Sequence, residues 1–320
     1  MRILFLALLL TSCYSIEQSY EFLRLNSSKI PISEALESDL SKNQRSKLVL
    51  LDKILEFAAE EDLNTKESYQ EIIFLNRSAV SYTVQASDEV KFKYKRWWFP
   101  FVGSVPYLGY FDIDKRNAKA AELKSQGYDI AKSQVSAFSS LGWFSDPVYS
   151  SMLNRSNSSF ISLILHELIH RTIWIKGSVK INENIAEFGS IVLTKKFLKK
   201  FRMTKEYDLF LKTLEDRQKL KRWLKDLKTE LSVLYSEKNI SRSQKLRRKY
   251  EIIEHSQLHL MPKFYLNTYK KSVMSKWNNA RILGYSLYSP DMEYFEQELK
   301  ICNKKSFGKF LRCFEDRYQK

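Results

Sequence analysis

Phe160-Ile161-Ser162-Leu163-Ile164-Leu165-His166-Glu167-Leu168-Ile169-His170 is an apolar run that closes on two histidines and a glutamate. It reads as a buried helix from Phe160 to Ile175, ending before Gly177. On a helix, positions four apart lie one turn apart on one face. His166 and His170 can therefore reach one cation, and Glu167 can face an open position of the same ion. Catalytic zinc takes three protein ligands and a water. It lowers the pKa of that water, and a carboxylate takes the proton; Glu167 fits that base. Two buried imidazoles with a carboxylate between them need partners, and one Zn2+ ion supplies them. The chain has only four histidines, so the pairing is a specific signal.

A third ligand is expected from the next helix, Asn182 to about Phe201. Glu183 and Glu187 are again four apart and can project together toward the first helix. One carboxylate can bind the ion while the other holds a ligand histidine by its second nitrogen. The plain alternative is an acidic pair near a helix N-terminus. His255 and His259 repeat the spacing without a glutamate after the first histidine. Their helix is charged, so a solvated face is the simpler reading; they stand second as a source of a third ligand or of contact with the substrate oxyanion.

Other segments carry a resemblance. The run Trp98-Phe99-Pro100-Phe101-Val102-Gly103-Ser104-Val105-Pro106-Tyr107-Leu108-Gly109-Tyr110-Phe111 is similar to one in a bacterial family of zinc aminopeptidases. So are Gly127-Tyr128-Asp129 and Ala137-Phe138-Ser139-Ser140-Leu141-Gly142-Trp143-Phe144-Ser145-Asp146-Pro147. The His-Glu-Leu-x-His helix, the Asn-Glu-x-x-Ala step and Asn278-Asn279-Ala280 with Tyr288 complete the pattern, over roughly residues 35 to 300. Phe138 stands where a tyrosine is common, and Ser145 where an acidic residue is common. By resemblance to thermolysin-like peptidases (gluzincins), Glu183 looks like the third zinc ligand and Glu187 like the group that orients His166. The family match implies that a strand from Val135 to Trp143 lines the cleft, with Phe138, Ser139, Gly142 and Trp143 against a peptide substrate. It also implies that Tyr288, or else Tyr285, donates to the oxyanion. An exopeptidase further needs a carboxylate for the substrate's free amine, for which Asp146 and Glu187 are candidates. The aminopeptidase preference rests on the resemblance alone; the hydrolase chemistry follows from the residues. Envelope endopeptidase and non-catalytic zinc lipoprotein are the rival expectations.

The rest of the chain sets the frame. Its 320 residues suit one large domain or two small ones. Eight glycines and six prolines are few for this length and favour helices. The expected class is α+β, predominantly helical and gluzincin-like, with a small sheet and a long helical hairpin at about 205–260. Strands are expected at Val80 to Gln85 and from Val135 on, a helix at Asn117 to Gln126, and helical blocks at Tyr265 to Leu287 and Met292 to Arg317. The net charge of +16 invites a nucleic-acid reading. No zinc finger, RNP-type motif or glycine-rich phosphate loop supports it, so no nucleic-acid partner is expected, and a face near anionic lipid is the simpler account. Residues 1–12 read as a secretory leader. Leu10-Thr11-Ser12-Cys13 resembles the bacterial lipobox, which implies acylation of Cys13 and a membrane anchor on the periplasmic or outer face of the envelope. Residues 13–32 then form a tether and 33–320 the peptidase domain. The remaining cysteines, Cys302 and Cys313, form a possible disulfide in such a compartment.

Overall fold

Few glycines and prolines leave long stretches of chain with nothing to break a helix, and the computed structural model is predominantly helical with small sheets. The structure describes residues 14, 17–66, 68–99, 103–135, 146–286, 292–302 and 304–318. In chain order, a helix at residues 17–26 (α1) leads to β1 (Ile30–Pro31), α2 (Ile32–Glu37), α3 (Lys42–Glu60) and β2 (Glu71–Ile73). Next come β3 (Ser81–Asp88), β4 (Trp97–Phe99), β5 (Gly103–Val105), β6 (Leu108–Tyr110), α4 (Ile113–Ser125) and β7 (Tyr128–Val135). Then follow β8 (Val148–Tyr149), α5 (Asn157–Thr172), α6 (Val179–Lys200), α7 (Thr204–Ser236) and α8 (Arg242–Leu260). The chain closes with α9 (Asn267–Met274), α10 (Asn279–Ser286), α11 (Met292–Cys302) and α12 (Phe307–Tyr318). Among the described residues no helix is long and apolar enough to cross a membrane.

The chain packs as two compact units, where the sequence reads one domain after a tether. The first comprises Met1–Arg24, Ser81–Val135 and Leu211–Leu287; the second comprises Leu25–Val80, Ser136–Phe210 and Tyr288–Lys320. The stretch assigned to the tether contains α1 and β1, and β1 pairs antiparallel with β2 through Ile30 and Ile72.

In the second unit, β2 also pairs in parallel with β8, Ile72 opposite Val148 and Ile73 opposite Tyr149. Helix α3 starts at a capping box, with Ser41 and Gln44 satisfying each other's backbone N–H groups. It buries Leu48, Leu51, Ile54 and Phe57 on one face. The core continues through Phe160, Ile161, Ile164 and Leu165 of α5 and Ile185, Phe188 and Phe197 of α6. Helices α5 and α6 cross closely at Gly189, where a Cβ would stand 2.6 Å from Ile169 Cδ1 and 2.6 Å from Phe307 Cε1. Only glycine allows that approach. Cys302 of α11 and Cys313 of α12 are bridged, with Cα atoms 6.1 Å apart.

In the first unit, β6, β3 and β7 form an antiparallel sheet, with β7 paired to β3 along its whole length from Ser81–Val135 to Asp88–Tyr128. Helix α4 covers it with Ala120 and Leu123 packed among Val84, Ala86 and Leu108. Gly127, at φ +80°, turns the chain from α4 into β7. A second core joins α7 to α10: Trp223, Leu227 and Leu231 pack with Ile253, Phe264, Trp277 and Ile282.

Where β7 meets α8 and α10 a buried polar knot forms. The ammonium of Lys249 pairs with Asp129 and donates to the carbonyl of Glu89 at 3.0 Å. Asp129 also accepts from the backbone N–H of Asn279 at 2.8 Å, and Asn278 Nδ2 donates to the Ile130 carbonyl at 2.8 Å. Tyr235 donates to Asn279 Oδ1 at 2.8 Å. The Gly-Tyr-Asp and Asn-Asn-Ala segments of the sequence thus meet in one structural tie.

Three element expectations change. Strand β7 runs over Tyr128–Val135, where no strand is expected before Val135; residues 136–143 of the expected strand lie outside the described residues. Its alternation is masked because the buried position is Asp129, while Lys132, Ser133 and Gln134 are exposed. The block Tyr265 to Leu287 is two helices, α9 and α10, and Met292 to Arg317 is α11 and α12.

Candidate metal centre

Helix α5 begins at Ser156, whose hydroxyl accepts from the N–H of Ser159, and its apolar face is fully buried. That packing fixes the rotation of the helix and leaves His166 and Glu167 half-buried and His170 buried. Helix α6 presents Glu183 and Glu187 to them. Its first turns are positioned by Asn182, which is completely buried. Asn182 Oδ1 accepts from the N–H of Ile175 and Asn182 Nδ2 donates to the Ile175 carbonyl, both at 2.8 Å. One side chain thereby fixes the α5–α6 connector to α6, one residue before the carboxylate that faces the histidines.

Four side chains then converge. His166 Nε2 and His170 Nε2 stand 3.1 Å apart. Glu183 Oε1 lies 3.5 Å from His170 Nε2, and Glu183 Oε2 lies 3.7 Å from His166 Nε2. Glu187 Oε2 lies 3.9 Å from the other nitrogen of His166, Nδ1, an electrostatic approach longer than a hydrogen bond. Among the described residues His166, His170 and Glu183 are the group of three His, Cys, Asp or Glu side chains whose ligand atoms gather, all within 4.8 Å. Ligand atoms at 2.0–2.2 Å from a tetrahedral zinc stand about 3.3–3.6 Å apart. The three separations lie around that edge length, and two imidazoles with one carboxylate suit a borderline divalent ion. The donor set therefore fits a metal.

Burial and charge act on each of these groups. Burial pushes the His170 imidazole down to about 4, helped by the neighbouring His166, so it is neutral with a lone pair to give. Burial alone would lower His166 too, but Glu183, Glu167 and Glu187 outweigh it and hold this ring above its ordinary value. Burial raises Glu183, yet the approach of His166 and His170 overrides it and keeps the carboxylate ionised. The Nδ1 of His170 is buried without a hydrogen-bond partner.

Cys13, Phe138, Ser139, Gly142, Trp143 and Tyr288 lie outside the described residues. Tyr285 is on α10, in the first unit, its ring tilted against Trp277 with centroids 5.3 Å apart. His255 and His259 are on α8, also in the first unit, and among the described residues they belong to no three-donor group. Asp146 is buried and faces Arg171 at 3.6 Å, so its charge is already matched.

Trp174, Tyr69 and Gly189 lie near the centre and are not among the sequence candidates. Trp174 sets its ring edge-on to His170, centroids 5.6 Å apart, and is 37% exposed. Tyr69 is buried at φ +59°, a left-handed conformation that costs a non-glycine residue about 1–3 kcal/mol. Its N–H donates to the Asp146 carbonyl at 2.8 Å, and burial with the charges of Glu167 and Asp146 holds its phenol protonated. Gly189 is the exception in having a readable cue, since glycine inside an apolar helix weakens it and signals a close approach.

No curated protein and no solved structure matches the chain. A family sequence model does match, over residues 13–319, nearly the whole length. The chain belongs to the family described as "Putative aminopeptidase".

Proposed function

We propose that this protein is a zinc-dependent peptidase of gluzincin type, an aminopeptidase by preference, held at a bacterial envelope membrane by a lipid on Cys13. The observation that carries the catalytic part is the convergence of His166, His170 and Glu183 beside Glu167. His166, His170 and Glu183 hold the ion, and Glu187 orients His166. When bound, zinc supplies Lewis acidity that polarises the scissile carbonyl and acidifies a water. Glu167 accepts the proton of the attacking water and delivers it to the leaving amine. Tyr288 donates to the developing oxyanion, and Phe138, Ser139, Gly142 and Trp143 contact the peptide backbone; these roles come from the resemblance described above. The family description supports the exopeptidase preference.

Three features support the envelope address. The family match begins at residue 13, where the lipobox reading places the mature N-terminus. The Cys302–Cys313 bridge suits an oxidising compartment. Lys and Arg far outnumber Asp and Glu between 211 and 287, which suits anionic headgroups.

The test pairs a variant with two substrates. Glu167→Gln should keep its zinc while hydrolysis falls by roughly 10²–10⁴-fold. A peptide with a free amine should be cut much faster than its N-acetylated form. Equal rates would replace the aminopeptidase by an endopeptidase, and full activity in Glu167→Gln would remove Glu167 as the base.

A further inference from the structure

We propose that His255 and His259 form a second metal site on the surface of α8, for a borderline divalent transition ion of the copper(II), nickel(II) or zinc(II) class. The inference is independent of the peptidase reading: this pair belongs to the first unit, and the candidate metal centre to the second.

Both imidazoles are exposed, so burial does not hold them together. Even so, they converge. Their Nε2 atoms stand 3.0 Å apart and their ring centroids 4.3 Å apart. Two imidazole nitrogens bound to one ion at 2.0–2.1 Å stand about 2.8–3.4 Å apart, from a right-angled to a tetrahedral arrangement. The pair fits as two adjacent ligands. A hydrogen bond between the rings has the same length, but it satisfies only one proton and one lone pair, and a metal replaces it without moving either helix turn.

The surroundings add one negative charge. The pair lines a groove of about 490 Å³ together with Asp226 and Ser256. Asp226 is the one carboxylate among the residues lining the groove. Its charge favours a cation in the groove, the two imidazoles are the protein ligands, and water completes the sphere. Lys219 lines the groove as well, but its ammonium is engaged by the Lys263 carbonyl at 2.8 Å, by Asp216 at 3.6 Å and by the ring of Tyr265 at 3.6 Å. Arg222 and Lys263 also line it and repel a dication. The site is therefore weaker than the centre on α5 and α6. It discriminates by donor type: imidazole nitrogen takes Cu2+ ahead of Ni2+ and Zn2+, and leaves Mg2+ and Ca2+ in water.

The test is equilibrium dialysis of the metal-stripped full chain against Cu2+ and Zn2+, with metal counted per chain. The parent should bind two equivalents, and His255→Ala/His259→Ala one. His259→Ala alone should weaken the second equivalent by about tenfold or more, the loss of a chelate. In a His166→Ala/His170→Ala background one equivalent should remain and disappear on adding the α8 substitutions. Circular dichroism shows which variants are folded; the α8 variants change exposed side chains only, so the parent comparison stands by itself. One equivalent in the parent that is unchanged in His255→Ala/His259→Ala overturns this site and leaves the α5–α6 centre intact. One equivalent that vanishes with the α8 substitutions does the reverse. Equal affinity in His259→Ala and parent also overturns the proposal.

Discussion

Asn182 has no group suited to catalysis, yet its amide decides where Glu183 stands. Both of its polar atoms are used on Ile175, in a place closed to solvent. Asn182→Ala leaves a buried N–H and a buried carbonyl unpaired, a cost of about 2–3 kcal/mol in chemical denaturation. Zinc affinity should fall by about tenfold or more while stoichiometry recovers in excess zinc, since the ligands remain. Asn182→Asp, which keeps the acceptor and loses the donor, should lie between. Unchanged zinc affinity in Asn182→Ala would show that the amide does not position the ligand. At this scale the sequence is informative wherever the chemistry is local. His166, Glu167 and His170 share one helix face because of its period alone. Tyr69 reaches the site through tertiary packing and a strained backbone, which no short window of sequence contains, and Trp174, four residues after His170, lies past the end of α5, where the helical period no longer places it.

The elements obey the same division. Helices α5, α6, α7 and α8 are readable because apolar residues recur at helical spacing over many turns. Strand β7 is not, because its buried partner is a carboxylate rather than an aliphatic side chain. Asp129 can be buried only with Lys249, which arrives from a helix 120 residues later. Breaking that pair leaves a charge without water or partner. Lys249→Met is expected to cost about 3–5 kcal/mol, measured by urea unfolding. The double variant Lys249→Met/Asp129→Leu should recover a large part of the loss, because neither charge is then buried. A single variant as stable as the parent would mean that the knot is not a structural tie. The division of the C-terminal blocks into α9–α10 and α11–α12 escapes the sequence reading for a different reason: neither break contains a proline or a glycine inside the joint.

For the whole molecule, the interleaving of the two units is the least readable feature. Each unit draws on three stretches of chain, so its boundaries fall inside regions whose composition does not change. The disulfide acts at this scale, closing the last two helices against the core of the second unit. It joins residues 11 apart, and a loop of that size contributes about 3 kcal/mol by restricting the unfolded chain. Reduction, or Cys302→Ser/Cys313→Ser, should lower the unfolding free energy by about that amount. No change in the unfolding midpoint would show that the bridge is not formed in solution.

The central claim is that three side chains on α5 and α6 hold an ion on which peptide hydrolysis depends. It is tested by the rate of hydrolysis of a free-amine peptide library, followed as the protein is stripped with a chelator and then titrated with zinc. Activity should vanish on chelation, return at the first equivalent of zinc and fail to return in Glu183→Ala. Activity that survives chelation, that returns equally in Glu183→Ala, or that is absent from the zinc-loaded parent contradicts the account.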